Sequence, residues 1–394
     1  MSFAAAPRHQ IAPGAAARPG RGFTLVELLV AVALSMLMTL AITGVLVRYE
    51  SGRRNLTAVN DTVQGGAYSA LLLDRVMRSV GSGFALSWRN NFGCRIVTAR
   101  SGSTVLPRGD AFPAPFASVP QTVRLAPVVV HAGAGTGGTD VLAVATGSSG
   151  LGEAPLRVLP SSATSTKVNV DATVGLRAGD LVMLFQDGSQ CMVQQVAAGF
   201  SGGTVQQLDF GGTYAAEEIS GVRLDAMGTT DSAWVAPIGN VTGNRPQFQL
   251  IGVGDNATLV TLDLLRLDGD DTPMALAEGV ADLRALYGVD TTGDGRIDSW
   301  QSPATAPWNA ASLMDGSATA RTNLSQIVAV RIGMLVRTVD RDRDVVSPAS
   351  LSLFGDLGAG LTYTRTLSTE ERHLRWRALD FTVPLRNVLL MPRS

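Results

Sequence analysis

Two hydrophobic periods divide this chain. From Phe23 to Val47 apolar residues fall on every side of a helical projection, and Glu27 is the one charge among them. A helix that is apolar all round belongs in a membrane or in a core. At 1.5 Å per residue it would be about 37 Å long, enough for roughly 30 Å of hydrocarbon. Beyond it the pattern thins to one stripe. Leu56, Val59, Val63, Ala70, Leu73, Met77 and Val80 recur at helical spacing, and Gly81-Ser82-Gly83 then supplies a stop. The pattern therefore predicts one helix in two halves, 23–47 and 48–80, the second amphipathic. Gly65 and Gly66 are its weak points, each costing about 1 kcal/mol against alanine.

From residue 81 the period drops to two, and short apolar runs alternate with turn residues. Strands are expected at 122–130, 140–146, 181–186, 191–197 and 204–210. The run 247–266 reads as a hairpin turning at Asp255-Asn256. In 327–337, Val328, Val330, Ile332, Met334 and Val336 share a face opposite Arg331 and Arg337, the signature of a half-buried strand. At the end Leu379, Phe381, Val383 and Leu385 alternate with polar residues, and Pro384 marks an edge or a bulge. Residues 274–290 fit helix and strand equally. A sub-boundary is expected near 226–246, where Gly, Thr, Asp and Pro cluster. The fold class is α+β: a long N-terminal helix packed on a large antiparallel β-rich head, 81–394.

Composition supports this. The chain is 45% hydrophobic and 16% charged, so it can bury a sizeable core, and 43 glycines suit many turns. Net charge is -1, and losing Arg8, Arg18 and Arg21 with residues 1–22 makes it -4. No basic excess favours nucleic acid, and no nucleic-acid partner is expected. Of the three histidines, His9 lies in residues 1–22, and His131 and His373 are too few for a zinc site. No Ser-His-Asp pattern emerges, so no catalytic residue is assigned. The G-x-G-x-x-G at 133–138 leads into a strand rather than a helix, and reads as a hairpin loop. Residues 340–344, "DRDRD", read as a solvated loop, and the arginines around Trp376 as an exposed strand face. Cys94 and Cys191 leave two readings open: one disulfide, if the head is exported, or two buried thiols.

"VDTTGDGRIDSW" has the spacing of a calcium loop. Asp290, Thr292, Asp294, the Arg296 carbonyl and Asp298 fall on alternate positions, with Gly295 at the sharp turn and Ile297 at the hydrophobic position. Oxygen ligands at that spacing suit a hard cation. Against it, the twelfth position is Gln301 rather than a bidentate Glu, and side-chain hydrogen bonds alone can cap such a turn.

Glu27 needs its own account, because a carboxylate in a membrane segment costs a few kcal/mol. The apolar run is too long for a cleaved signal peptide and no A-x-A site follows, so a plain signal anchor is one reading. Arginines flank both ends and leave its orientation open. An anchor gains nothing from Glu27. If the chain were cut between Gly22 and Phe23, a new α-ammonium would appear at the apolar end. Glu27 would then neutralise it, within the chain or on a neighbour.

"GFTLVELLVAVAL" resembles the class III signal of type IV prepilins, with Gly22 before the cut, Phe23 after it and Glu27 four residues on. "GTDVLAVATGSSG", "GDLVMLFQDGSQCMVQQV", "GVGDNATLVTLDLL", "LAEGVADLRALYGVDTTGDGRIDSW" and "RALDFTVPLRNVLL" are similar to segments of PilW-type minor pilins, in the same order. The leader, 1–22, is longer than is usual there. The resemblance implies cleavage after Gly22 by prepilin peptidase, methylation of Phe23, and Glu27 as the residue that docks the subunit into a filament. It implies residence in the inner membrane, with the head in the periplasm, before assembly into a surface pilus. The partners it implies are inner-membrane lipid, other minor pilins and the major pilin, the inner-membrane assembly platform and a PilY-type tip adhesin. Two relatives of this reading share the leader: a type II secretion pseudopilin and a pilus-associated surface adhesin.

Overall fold

A computed structural model describes residues 22, 24–147, 154–186, 190–203, 206–229 and 231–392, without the side chains of 47, 48 and 50–61. Phe23, and the leader apart from Gly22, lie outside the described residues. So do the side chains of Leu56 and Val59, expected in the amphipathic stripe. The helix runs Leu25–Ser79. Residues 1–57 and 58–394 form two compact units, each with its own contacts.

In the second unit the helix buries Leu73 and Met77, and Val80 just beyond it. Asn387 Nδ2 donates to the carbonyls of Ser79, at 3.2 Å, and Val80, at 2.9 Å, satisfying groups that a helix end leaves open. Gly66 corrects its expected role as a weak point. A Cβ there would lie 2.6 Å from Cδ1 of Leu379 and 3.4 Å from Cγ2 of Val336. The glycine lets the helix lie close on the sheet.

Among the described residues three larger sheets build most of the head, and three two-stranded ones lie beside them. One has six strands in the spatial order Ser103–Leu106, Arg95–Arg100, Gln190–Gln195, Asp180–Gln186, Ala233–Asn240 and Leu156–Arg157. Its Arg95–Arg100 and Gln190–Gln195 pair is parallel, a departure from an all-antiparallel head. The expected sub-boundary at 226–246 is corrected here, since Ala233–Asn240 pairs along its length with Asp180–Gln186 inside this sheet. The second sheet has five antiparallel strands: Met274–Glu278, Thr258–Asp263, Gln247–Val253, Val141–Thr146 and Val128–His131. Its 247–263 hairpin turns at Asp255–Ala257, with Asn256 at φ 55°. The strand expected at 122–130 begins at Val128, because Pro127 has no N–H to give the ladder. Of the strand expected at 204–210, Gln207–Asp209 is formed, and 204 and 205 lie outside the described residues.

The third sheet has four antiparallel strands: Ser299–Gln301, Val280–Val289, Ile327–Arg337 and Trp376–Pro384. The last is the edge strand that Pro384 implied. Residues 274–290 resolve into two strands broken at Gly279, where φ is +85°. Ile327–Arg337 corrects its half-buried reading: Leu335 is as buried as Met334. The hairpin Ser350–Leu353 and Tyr363–Thr366 covers the second face, and Leu353 and Phe354 pack on Leu335 and Leu286.

Polar groups lock these layers. The Tyr287 hydroxyl accepts the Val130 N–H at 2.6 Å, and Asp140 Oδ2 accepts the Ala285 N–H at 3.0 Å, tying the third sheet to the second. Burial pushes both groups up from their ordinary pKa. On the far face the Tyr363 hydroxyl donates to buried Asp282 at 2.7 Å, and Arg284 donates to Tyr363 at 3.0 Å. At Gly333 a Cβ would come within 2.7 Å of Cζ of Phe354 and 2.9 Å of Cδ1 of Leu353. Gly333→Ala is expected to destabilise the head by about 1–3 kcal/mol, as overpacking does. A thermal melt unchanged from wild type would show that the hairpin does not seat on this strand.

Candidate assembly segment and acidic loop

Thr24 stands just before the first helical residue, and Glu27 three positions later. The Glu27 N–H donates to Thr24 Oγ1 at 3.3 Å. The Thr24 N–H donates back to Glu27 Oε2 at 3.2 Å, and the Thr24 hydroxyl reaches the same oxygen at 3.2 Å. This reciprocal pair is a capping box, which satisfies two N–H groups that a helix start leaves open. It also sets a carboxylate at the positive end of the helix dipole. So Glu27 has a local partner before any cut is made. The T-x-x-E spacing of Thr24 and Glu27 is the sequence signal of this cap. Among the described residues Glu27 Oε1 takes no hydrogen bond, which leaves one oxygen for a second partner. Gly22 is exposed, and a Cβ there would meet nothing within 4 Å. Phe23, its partner across the expected cut, lies outside the described residues.

From Leu25 to Leu46 the helix is long and apolar enough to cross a membrane, and none of its most apolar stretch is buried within the chain. Its hydroxyls carry no unmet donor into that setting. Ser35 Oγ donates to the Val32 carbonyl at 2.8 Å, Thr39 Oγ1 to Ser35 at 2.7 Å, and Thr43 Oγ1 to Thr39 at 2.7 Å. Back-bonding of this kind is how hydroxyl residues sit in hydrocarbon. Ser35, Thr39 and Thr43 form one narrow stripe on a surface otherwise lined by exposed Leu, Val, Met and Ile.

The acidic loop joins Val280–Val289 to Ser299–Gln301, so it closes a β-hairpin and has no flanking helices. Oxygens of Asp290, Asp294 and Asp298 lie within 4.8 Å of one another, with Asp290 buried and the other two exposed. Asp290 accepts the N–H groups of Gly293 at 2.6 Å and Gly295 at 2.8 Å. Gly295 holds φ +82°, the left-handed turn its position calls for. Asp298 Oδ2 accepts the Thr291 N–H and hydroxyl at 2.8 Å each and the Thr292 N–H at 3.0 Å, and these bonds hold its carboxyl below the usual range. Thr292 Oγ1 donates to Asp290 at 3.3 Å. The Arg296 N–H, rather than its carbonyl, is the group seen bonded, to Asp294 at 2.9 Å. Gln301 sits in the return strand and donates to Ser299 Oγ at 3.0 Å, so it does not face the carboxylates as a ligand would.

Cys94 and Cys191 are joined as a disulfide, with Cα atoms 5.6 Å apart. The bridge sits at the start of the parallel pair, where Ile96 lies opposite Cys191. Both cysteines are buried in the main core.

Two family models match the chain. Residues 18–46 match the prokaryotic N-terminal methylation motif. Residues 250–387 match type IV pilus-assembly protein W. The second match takes in the 247–263 hairpin from Leu250 onward, the acidic loop and the whole third sheet. Among curated proteins, and among solved structures, nothing matches. A methylation motif on a bare apolar helix, followed by an assembly-protein W region in the β-rich head, matches a PilW-type minor pilin of the type IV pilus.

Proposed function

We propose that this minor pilin is cut after Gly22 by prepilin peptidase, methylated on Phe23, and held in the inner membrane by its apolar helix with the head in the periplasm. There it joins other minor pilins on the assembly platform, primes the growth of major pilin beneath it, and travels outward at the tip, where a PilY-type adhesin would be its neighbour. The observation that carries this reading is the apolar helix itself. None of its most apolar stretch is buried within the chain, and it bears one carboxylate beside the expected cut, with one oxygen unbonded among the described residues. Such a surface needs either lipid or other helices around it. The pilin family points to a structural role, working with other pilins and the pilus machinery rather than by catalysis. Mass spectrometry of the N-terminus from the membrane fraction tests the first step. N-methylated Phe23 is the expected terminus, and an intact leader in cells with active prepilin peptidase would sink the proposal. Deletion separates assembly from adhesion: loss of fibres supports priming, and fibres that persist without attachment favour the adhesin.

The converging oxygens of Asp290, Asp294 and Asp298 favour a calcium ion at the acidic loop. Calorimetric titration of the purified protein is expected to show heat at or below millimolar calcium, lost in Asp294→Asn. Heat that never appears returns the loop to a self-capped turn.

A further inference from the structure

On the face of the five-stranded sheet, Ala143 and Ala145 lie between Val129 on one neighbouring strand and Phe248 and Leu250 on the other. Two methyl groups among larger side chains leave a hollow. Loop 119–126 and the short helix Ala310–Leu313 wall it, and flexible Met314 adjoins them. The resulting cavity is about 360 Å³, and its rim at Pro120, Thr122 and Ala311 is exposed.

One polar ring lines this apolar space. His131 follows Val129 on the same face of its strand, and among the described residues its imidazole takes no hydrogen bond. The half-buried ring is pushed down to about 4 by desolvation, so at neutral pH it is uncharged and offers one donor and one acceptor. Arg124, at the rim, gives one guanidinium N–H to the Gly93 carbonyl at 2.7 Å. A charged group drawn into such a space would be costly, whereas a neutral hydroxyl or amide would complete the imidazole. Size narrows the class further. A cavity of about 150 Å³ holds benzene, and ligand pockets begin near 300 Å³, so this one suits roughly ten to fifteen heavy atoms.

We propose that this hollow binds an apolar small molecule of that size carrying one neutral hydroxyl or amide, its body on Ala143 and Ala145 and its polar group at His131. The site is independent of the assembly role of the helix.

The test is equilibrium dialysis of 1-naphthol and of naphthalene against the full chain in lipid nanodiscs, with empty nanodiscs as blanks. Wild type is expected to take up one saturable equivalent of 1-naphthol. His131→Phe is expected to weaken 1-naphthol about two- to tenfold and to leave naphthalene unchanged, as loss of one hydrogen bond would. Ala143→Leu is expected to abolish uptake of both while melting at or above the wild-type temperature, because it fills existing space. No saturable uptake by wild type overturns the proposal. So does uptake that survives Ala143→Leu, or a preference for 1-naphthol that survives His131→Phe. If Ala143→Leu and the smaller Ala145→Val both melt lower than wild type, the hollow is closed in solution and the proposal falls.

Discussion

A strain whose only copy carries Glu27→Ala is expected to process the protein normally and to make about tenfold fewer pili or less. Cleavage reads the residues at the cut, so the mature protein should still begin at Phe23. What is lost comes later. In a low-dielectric setting a carboxylate and a freed α-ammonium attract strongly, and a hydrogen bond to a charged group is worth about 1.5–3 kcal/mol. That is roughly tenfold or more in the balance between a subunit in the membrane and one in the filament. The capping box offers a competing account, because Glu27 also closes the helix start on Thr24. Losing a cap costs about 0.5–2 kcal/mol. Glu27→Gln separates the two, since glutamine completes a capping box but carries no charge. If Gln fails as Ala does, the charge is what assembly uses. If Gln restores pili, the cap is. Normal pilus numbers with Glu27→Ala would remove both accounts.

Removing the disulfide is expected to have the largest effect on the head. The pair Cys94→Ser and Cys191→Ser should lower its stability by about 2–5 kcal/mol, and its melting temperature by roughly 5–10 °C. The bridge closes a segment of 97 residues, and cross-linking so long a loop restricts the unfolded chain strongly. It also fastens a parallel pair, which no short turn can join. Between the two cysteines the chain builds Ser103–Leu106, the 119–126 wall of the cavity, two strands of the five-stranded sheet and Asp180–Gln186 before it returns. Both sulfurs are buried, so a reductant should act only when the head opens. Melts with and without reductant should therefore diverge at high temperature, while the folded head at room temperature keeps its bridge. Identical melts for the double variant and wild type would refute the stabilising role.

The apolar helix and the carboxylate at Glu27 were legible because each is written in a contiguous stretch. A run of apolar residues and a cap need no distant partner to be read. The 247–263 hairpin and the edge strand ending at Pro384 were legible for the same reason: turn chemistry and alternation are local. The capping box is equally local, since Thr24 and Glu27 carry the T-x-x-E spacing within one turn. Where the covering chain came from far away, the pattern misled. Leu335 looks solvent-facing by alternation, yet it is buried by a hairpin that begins at Ser350. Gly66 looks like a flaw in a helix until Leu379 is laid against it, more than three hundred positions on.

From sequence alone come the long apolar helix, its one carboxylate and the β-rich class of the head. These follow from periodicity and short-range chemistry, which act within one or two turns of chain. The parallel pair under the disulfide, the second layer over Ile327–Arg337, the meeting of three aspartates in a hairpin loop and the hollow beside His131 came only with the fold. Each depends on which surfaces meet after the chain collapses, and that is set by competition among all apolar faces at once rather than by any one stretch.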